Sequence, residues 1–382
     1  MLQLTPGFLT LAMVAVAAPQ PPQWTVDSAP AVSIGGGDGP ADLLRVVGAL
    51  RLPDGRIVVA NHGTHDVRLY SATGRIEASF GRKGSGPGEF ENIGWLGRVV
   101  DTILVYDGSH RRITRIRFGA KSPLVGITRV VSTSDRPFSI AGRLSSGEWL
   151  ATTGISPTFE GPPGVRRLPG SVGLVPPDGA GAVRWVATMP SGAVFVHSPT
   201  GRLEGASVGL IAFSPFLVAE AQDNILWIGD TAADTLLRYS GGRGPPAVIR
   251  LDLPRRAMTK AIAERSLAAQ LAETRPAGHA FARAAHSAPN LPAALPTFGS
   301  LTAPSGGTEL WVSEHRVVPA DSIIFHVLGP DGRRIGQVVA PARFSLTDAG
   351  PEWILGIARD SDDVEYVRMF RLTRSPPTPR SP

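Results

Sequence analysis

Apolar positions along the chain gather into six short runs, each introduced by a turn-forming sequence: DGRIVVA (Asp54–Ala60), VDTILVY (Val100–Tyr106), SGEWLAT (Ser146–Thr152), QDNILWI (Gln222–Ile228), GTELWVS (Gly307–Ser313) and GPEWILG (Gly350–Gly356). The continuous apolar stretch IVVA predicts a strand covered on both faces, whereas the alternation in VRLYS and RIEASF predicts half-buried strands. The first core residues of the runs, Ile57, Ile103, Trp149, Ile225, Leu310 and Trp353, are separated by 46, 46, 76, 85 and 43 residues. A unit of about 40–50 residues built only of strands is the signature of a β-propeller blade. The predicted fold class is therefore all-β, a six-bladed β-propeller.

The first unit shows the grammar. An inner strand around Arg45–Leu50 meets the turn Pro53-Asp54-Gly55, and Arg56–Ala60 forms the second strand. A polar loop, Asn61–Asp66, leads to Val67–Ser71, and Ala72-Thr73-Gly74 turns the chain into an outer strand, Arg75–Phe80. The last unit, Ile354–Leu372, stops one strand short, while Pro30–Val46 repeats the order of Glu77–Leu96: outer strand, Gly-rich connection, inner strand. An N-terminal strand near Ala31–Ile34 is thus expected to close the last blade and leave the ring without a free edge.

The two long intervals carry about 30 and 40 residues beyond one blade. Ser156–Gly170 is Pro/Gly-rich, and no regular structure is expected there. Residues Arg255–Ser287 predict a helical insertion between blades four and five. Pro254 stands at its start, the Ala-rich sequence favours helix as far as Thr274, and Pro276 breaks it. Both insertions are expected on one face, where second-to-third-strand loops and blade-to-blade connections emerge, and the helical one as a lid over the channel mouth. Loops held on a rigid scaffold are where function usually resides.

Composition narrows the picture. The chain has 382 residues with 44 Gly and 35 Pro, a load of turn-formers that suits many short strands. The absence of Cys rules out disulfides, thiolate zinc sites and thiol nucleophiles. The net charge of +6 is scattered rather than clustered, which disfavours nucleic-acid binding. Phe8–Val16 followed by Ala15-Val16-Ala17 reads as a secretory signal peptide over residues 1–17, with a buried N-terminal strand as the alternative. No apolar run reaches the ~18 residues of a membrane span. The expectation is a periplasmic or extracellular monomer with its propeller over 24–373 and a disordered tail over 374–382.

Candidate chemistry lies in the loops. Asn61, Asp107 and Asp230 share one strand-end position, which suits a short polar side chain bonded to its own loop backbone, with metal binding as the alternative. His62, His65, His110 and His315 occupy the equivalent loops of blades one, two and five and are candidate ligand-binding residues, together with Asp66, Asp107, Arg111 and Asp230. Solvated loop histidines are the bland reading. Trp149, Trp227, Trp311 and Trp353 fall in equivalent buried strands and read as core. The inner strands are small and apolar, with only Glu220 and Asp348 acidic. Arg51, Arg98 and Arg143 recur near their ends, either at an anion-attracting end of the channel or as surface turns. Gly81–Glu91 is no phosphate loop, because Lys83 is not followed by Ser or Thr at the head of a helix.

The runs IVVANHGTHDVRLYSATGRIEASFGRKGSGPGEFENI (Ile57–Ile93) and ILVYDGSHRRITRIRF (Ile103–Phe118) resemble NHL-repeat propellers. The connection Gly81–Phe90 is similar to that of the bacterial secreted, TolB-like six-bladed group. The reading is an exported binding or interaction module of that kind for a protein, peptide or carbohydrate ligand, with no cofactor. The alternative is a metal-dependent hydrolase or lyase of the lactonase kind at the channel mouth. Two acidic residues on the inner strands fall short of the oxygen set such a metal needs. RNA binding, known for intracellular members, is the third reading.

Overall fold

Every one of the apolar runs becomes the second strand of an antiparallel meander. In the first, Ile57–Asn61 lies between the innermost strand Val46–Arg51 and the third strand Asp66–Tyr70, with Ile76–Phe80 outermost. The computed structural model describes residues 21–36, 42–119, 122–154, 164–198, 207–317 and 322–375. Ile57, Val58, Val59 and Ala60 are wholly buried, as a strand packed on both faces must be.

The innermost strands of successive meanders are Val46–Arg51, Ile93–Val99, Ser139–Arg143, Leu217–Gln222, Phe298–Thr302 and Phe344–Gly350. Each touches the next in that order, and the last touches the first. This arrangement of small sheets about a common centre is that of a β-propeller. Apolar clusters fill the spaces between meanders: Leu50, Val58 and Val67 of the first pack with Phe90, Leu96 and Val105 of the second. Trp149, Trp227 and Trp311 are buried as the pattern suggests, whereas Trp353 is partly open and lies under the Arg51 guanidinium at 5.1 Å.

The N-terminal segment seals the last two meanders. Val32–Gly35 pairs antiparallel with Tyr366–Met369, in the place expected for a closing strand. A second strand, Gln23–Val26, runs parallel to Gln337–Val338 and antiparallel to Leu372–Thr373, so the two meanders merge into one nine-stranded sheet. Trp24 anchors it, edge-on to Trp311 at 6.3 Å and with Arg374 stacked at 4.3 Å.

The sequence reading of Ser156–Gly170 needs correction. Gly164–Val175 is a strand of 12 residues paired with Arg184–His197, of 14 residues, so the third meander carries a hairpin that projects past its short neighbour Trp149–Thr152. Pro169 is accommodated at a register shift between Arg167 and Pro169, where a ladder donor is dispensable.

Between the fourth and fifth meanders, Thr259 caps the helix Lys260–Glu273 by accepting the Ile262 N–H at 3.3 Å. Pro276 opens a short 3-10 turn, and a second helix follows over His279–Ala285. Phe281, Ala284 and Ala285 pack on Ala193 and Phe195 of the projecting hairpin and on Ile211, so the two extra segments bury each other. No helix among the described residues is long and apolar enough to cross a membrane.

Candidate functional site

The strand-end polar residues organise backbone. Asn61 accepts the Leu44 N–H at 2.9 Å and donates to the Asp42 carbonyl at 3.2 Å. Asp107, wholly buried, accepts the backbone N–H groups of Glu91, Asn92 and Ser109 at 3.0, 3.2 and 3.1 Å. Its other large contact is His110 Nδ1 at 2.8 Å. Burial alone would raise the Asp107 carboxyl, but the His110 and backbone hydrogen bonds outweigh it and hold it below the ordinary value. Asp230 accepts the Ala232 N–H at 3.0 Å and receives Arg167 of the projecting hairpin on both oxygens, at 2.9 and 3.1 Å.

The remaining residues singled out in the sequence divide among separate neighbourhoods. His62 and His65 lie with ring centroids 5.5 Å apart, each with a buried Nδ1 that has no partner. Burial, then the charges of Arg45 and His65, push the His62 imidazole below its ordinary range. Asp66 is held by Arg68 at 2.8 Å and Ser79 at 2.9 Å, within its own meander. His315 sits apart from His62, His65 and His110, against Phe213 at 6.1 Å, and burial followed by the charge of Arg256 pushes it down to about 4. Among the described residues, no group of three His, Asp or Glu side chains converges as metal ligands.

Arg111 leads to a feature the sequence left unmarked. Its guanidinium stacks 5.0 Å over Phe138 and donates to the Ser132 carbonyl at 3.3 Å. Phe138 meets Trp185 edge-on at 6.5 Å, and Arg136 stacks over that indole at 5.0 Å. Arg136 is steadied by Asp135 at 2.7 Å and Ser171 Oγ at 2.8 Å. A groove of about 380 Å³ runs between Arg111, Arg136 and Phe138. Its wall comes from a second-to-third-strand loop and a connection between meanders. Phe138 and Arg136 were missed because each is unremarkable in its own segment; only the docking of the two meanders stacks them.

A second hollow occupies the centre of the ring, about 540 Å³, with Arg98, Arg143 and Glu220 in its wall. Arg98 donates to the carbonyls of Val100 at 2.8 Å and Ser305 at 3.1 Å. Ser305 belongs to the fifth meander, so this bond spans the centre of the ring. The same turn is tied to the sixth meander by the Ser305 N–H on Asp348 at 2.9 Å, while Asp348 also accepts the Arg51 N–H of the first at 2.9 Å. Burial dominates these backbone bonds and pushes the Asp348 carboxyl up to about 6. Two of the recurrent arginines, Arg98 and Arg143, thus line the central hollow, whereas Arg51 covers Trp353.

No family model matches the chain. No curated protein matches it either. Among solved structures, a member of the DUF4221 family from Bacteroides vulgatus aligns over 93% of this chain and 100% of its own, at 9% identity and a TM-score of 0.53. Virginiamycin B lyase from Staphylococcus aureus aligns over 87% of this chain and 97% of its own, at 13% identity and a TM-score of 0.41. At 9% identity, the likeness to the DUF4221 structure concerns the fold alone.

Proposed function

We propose that the chain is an exported six-bladed propeller of the NHL/TolB-like kind that works as a binding module for an acidic peptide segment. The cyclic order of innermost strands supports the blade count, and the spacing of the apolar runs agrees with it. Export rests on Phe8–Val16 and the Ala15-Val16-Ala17 site, which lie outside the described residues.

One observation carries the binding reading: two guanidiniums, Arg111 and Arg136, stacked on Phe138 and Trp185 beside an open groove. Stacked guanidiniums are held in place before a ligand arrives. Arg111 presents planar donors that match a carboxylate, Arg136 already holds Asp135 of the same groove through Nε and Nη2, and the rings take an adjacent apolar group. In this reading Asp66, Asp107 and Asp230 hold their own loops, and His62, His65, His110 and His315 lie outside the groove. The test is titration of glutamate-rich and neutral peptides, with uronic-acid oligosaccharides alongside, followed by calorimetry. The acidic peptides should bind, and both Arg136→Glu and Phe138→Ala should weaken them about tenfold or more. Binding of the sugars alone would shift the ligand class to carbohydrate. No binding by either class, or binding indifferent to both substitutions, refutes the reading.

A further inference from the structure

The central hollow has a wall of uneven chemistry. Leu50, Leu96, Leu301 and Leu346, from four of the innermost strands, each show it a narrow edge, otherwise packing between the meanders. The fourth meander contributes Glu220 instead. Gly48, Gly97, Gly142 and Ala221 also line it. Among the described residues only the Ala221 backbone N–H acts on the Glu220 carboxyl. The two guanidiniums in the wall are engaged elsewhere, Arg98 on carbonyl oxygens and Arg143 stacked 5.3 Å over Trp149. Glu220 is half-buried at this wall, and a carboxyl there without a cationic partner is an uncompensated group.

We infer that the central hollow binds a small aliphatic ammonium ion, its charge met by Glu220 and its hydrocarbon by the leucine wall. A primary ammonium provides three donors and one positive charge in a compact head, which is what the carboxyl lacks. The volume of about 540 Å³ is in the range of small-molecule sites. Enclosure pushes the Glu220 carboxyl up to about 8, so at neutral pH the empty site holds a proton that an arriving cation displaces. The other charged groups in the wall are Arg98 and Arg143, which oppose the cation, and Asp223 at the rim, which favours it.

The experiment compares three probes of one shape, butylammonium, butanol and butyrate, by titration calorimetry on the full chain. Butylammonium should bind best, and repeating the titration in buffers of different ionisation enthalpy should show about one proton released per ion near pH 7. Its affinity should rise as pH climbs towards about 8. Glu220→Gln should lower the affinity about tenfold or more and abolish the proton release, while Glu220→Asp should retain a released proton. A melt of each variant checks that the ring is intact. Preferred binding of butanol or butyrate, no binding of any probe, or butylammonium binding without proton release overturns the inference. None of these results bears on the Arg136 groove, which is a separate site.

Discussion

Glu220 offers a test of the central packing that needs no ligand. Its carboxyl stands at about 8 in the folded chain against an ordinary 4.5, because the surrounding protein disfavours the charged form. The folded state therefore binds the proton more tightly than the unfolded state. The contribution is fully present below the ordinary value and is lost as pH rises through the folded one, that is between 4.5 and about 8. At about 1.36 kcal/mol for each tenfold change in proton activity, the whole displacement amounts to about 5 kcal/mol. Water in the hollow still reaches part of the side chain, so about 2–5 kcal/mol is the working range. Glu220→Gln keeps the shape and removes the titration. Urea unfolding of both proteins at about pH 3.5, 7 and 9 should show the variant equal to the parent in acid and more stable by that range in base. Asp348, raised to about 6, titrates in both proteins and cancels in the difference. Parallel stability curves, or a variant less stable at high pH, would refute the reasoning.

Four further outcomes follow from the same structure. Asp107→Ala removes the buried acceptor of the Glu91, Asn92 and Ser109 N–H groups and should cost about 2–4 kcal/mol in denaturant unfolding, with Asp107→Asn costing less. Removal of residues 23–35 strips Trp24, Val32 and Ile34 from buried positions, at about 2 kcal/mol each, and should abolish the single cooperative melt. Replacing Arg255–Ser287 by a Gly/Ser linker uncovers Phe195 and Ile211, so the ring should still melt cooperatively but bind a hydrophobic dye more strongly; a chain that fails to fold shows the helices to be core. N-terminal sequencing of the native protein should begin close to Ala18, and an intact Met1 removes the export reading.

Much of the scaffold was legible in the chain because propeller strands repeat with a short period and bury themselves locally. The run from Ile57 to Asn61 declares its position by its own apolarity, and its partners lie within a few residues on either side. The closing strand at Val32–Gly35 was legible too, because the last unit lacked a partner and only the N-terminus had the matching pattern. Gln23–Val26 was not, since four residues carry too little pattern to announce a strand whose hydrogen bonds lie more than 300 positions away. The hairpin after Gly164 escaped for a related reason. Its Pro and Gly residues argue locally for a loop, and the strand exists because Arg184–His197 supplies a ladder whose far face is then covered by Phe281. Sites show the same division. Asn61, Asp107 and Asp230 betrayed a shared role by recurring at one position, and a role played on neighbouring backbone is a local one. The Arg111–Phe138–Trp185–Arg136 stack and the place of Glu220 in the central wall depend on contacts between meanders, and sequence spacing carries no record of which side chains the closing of a ring will bring face to face.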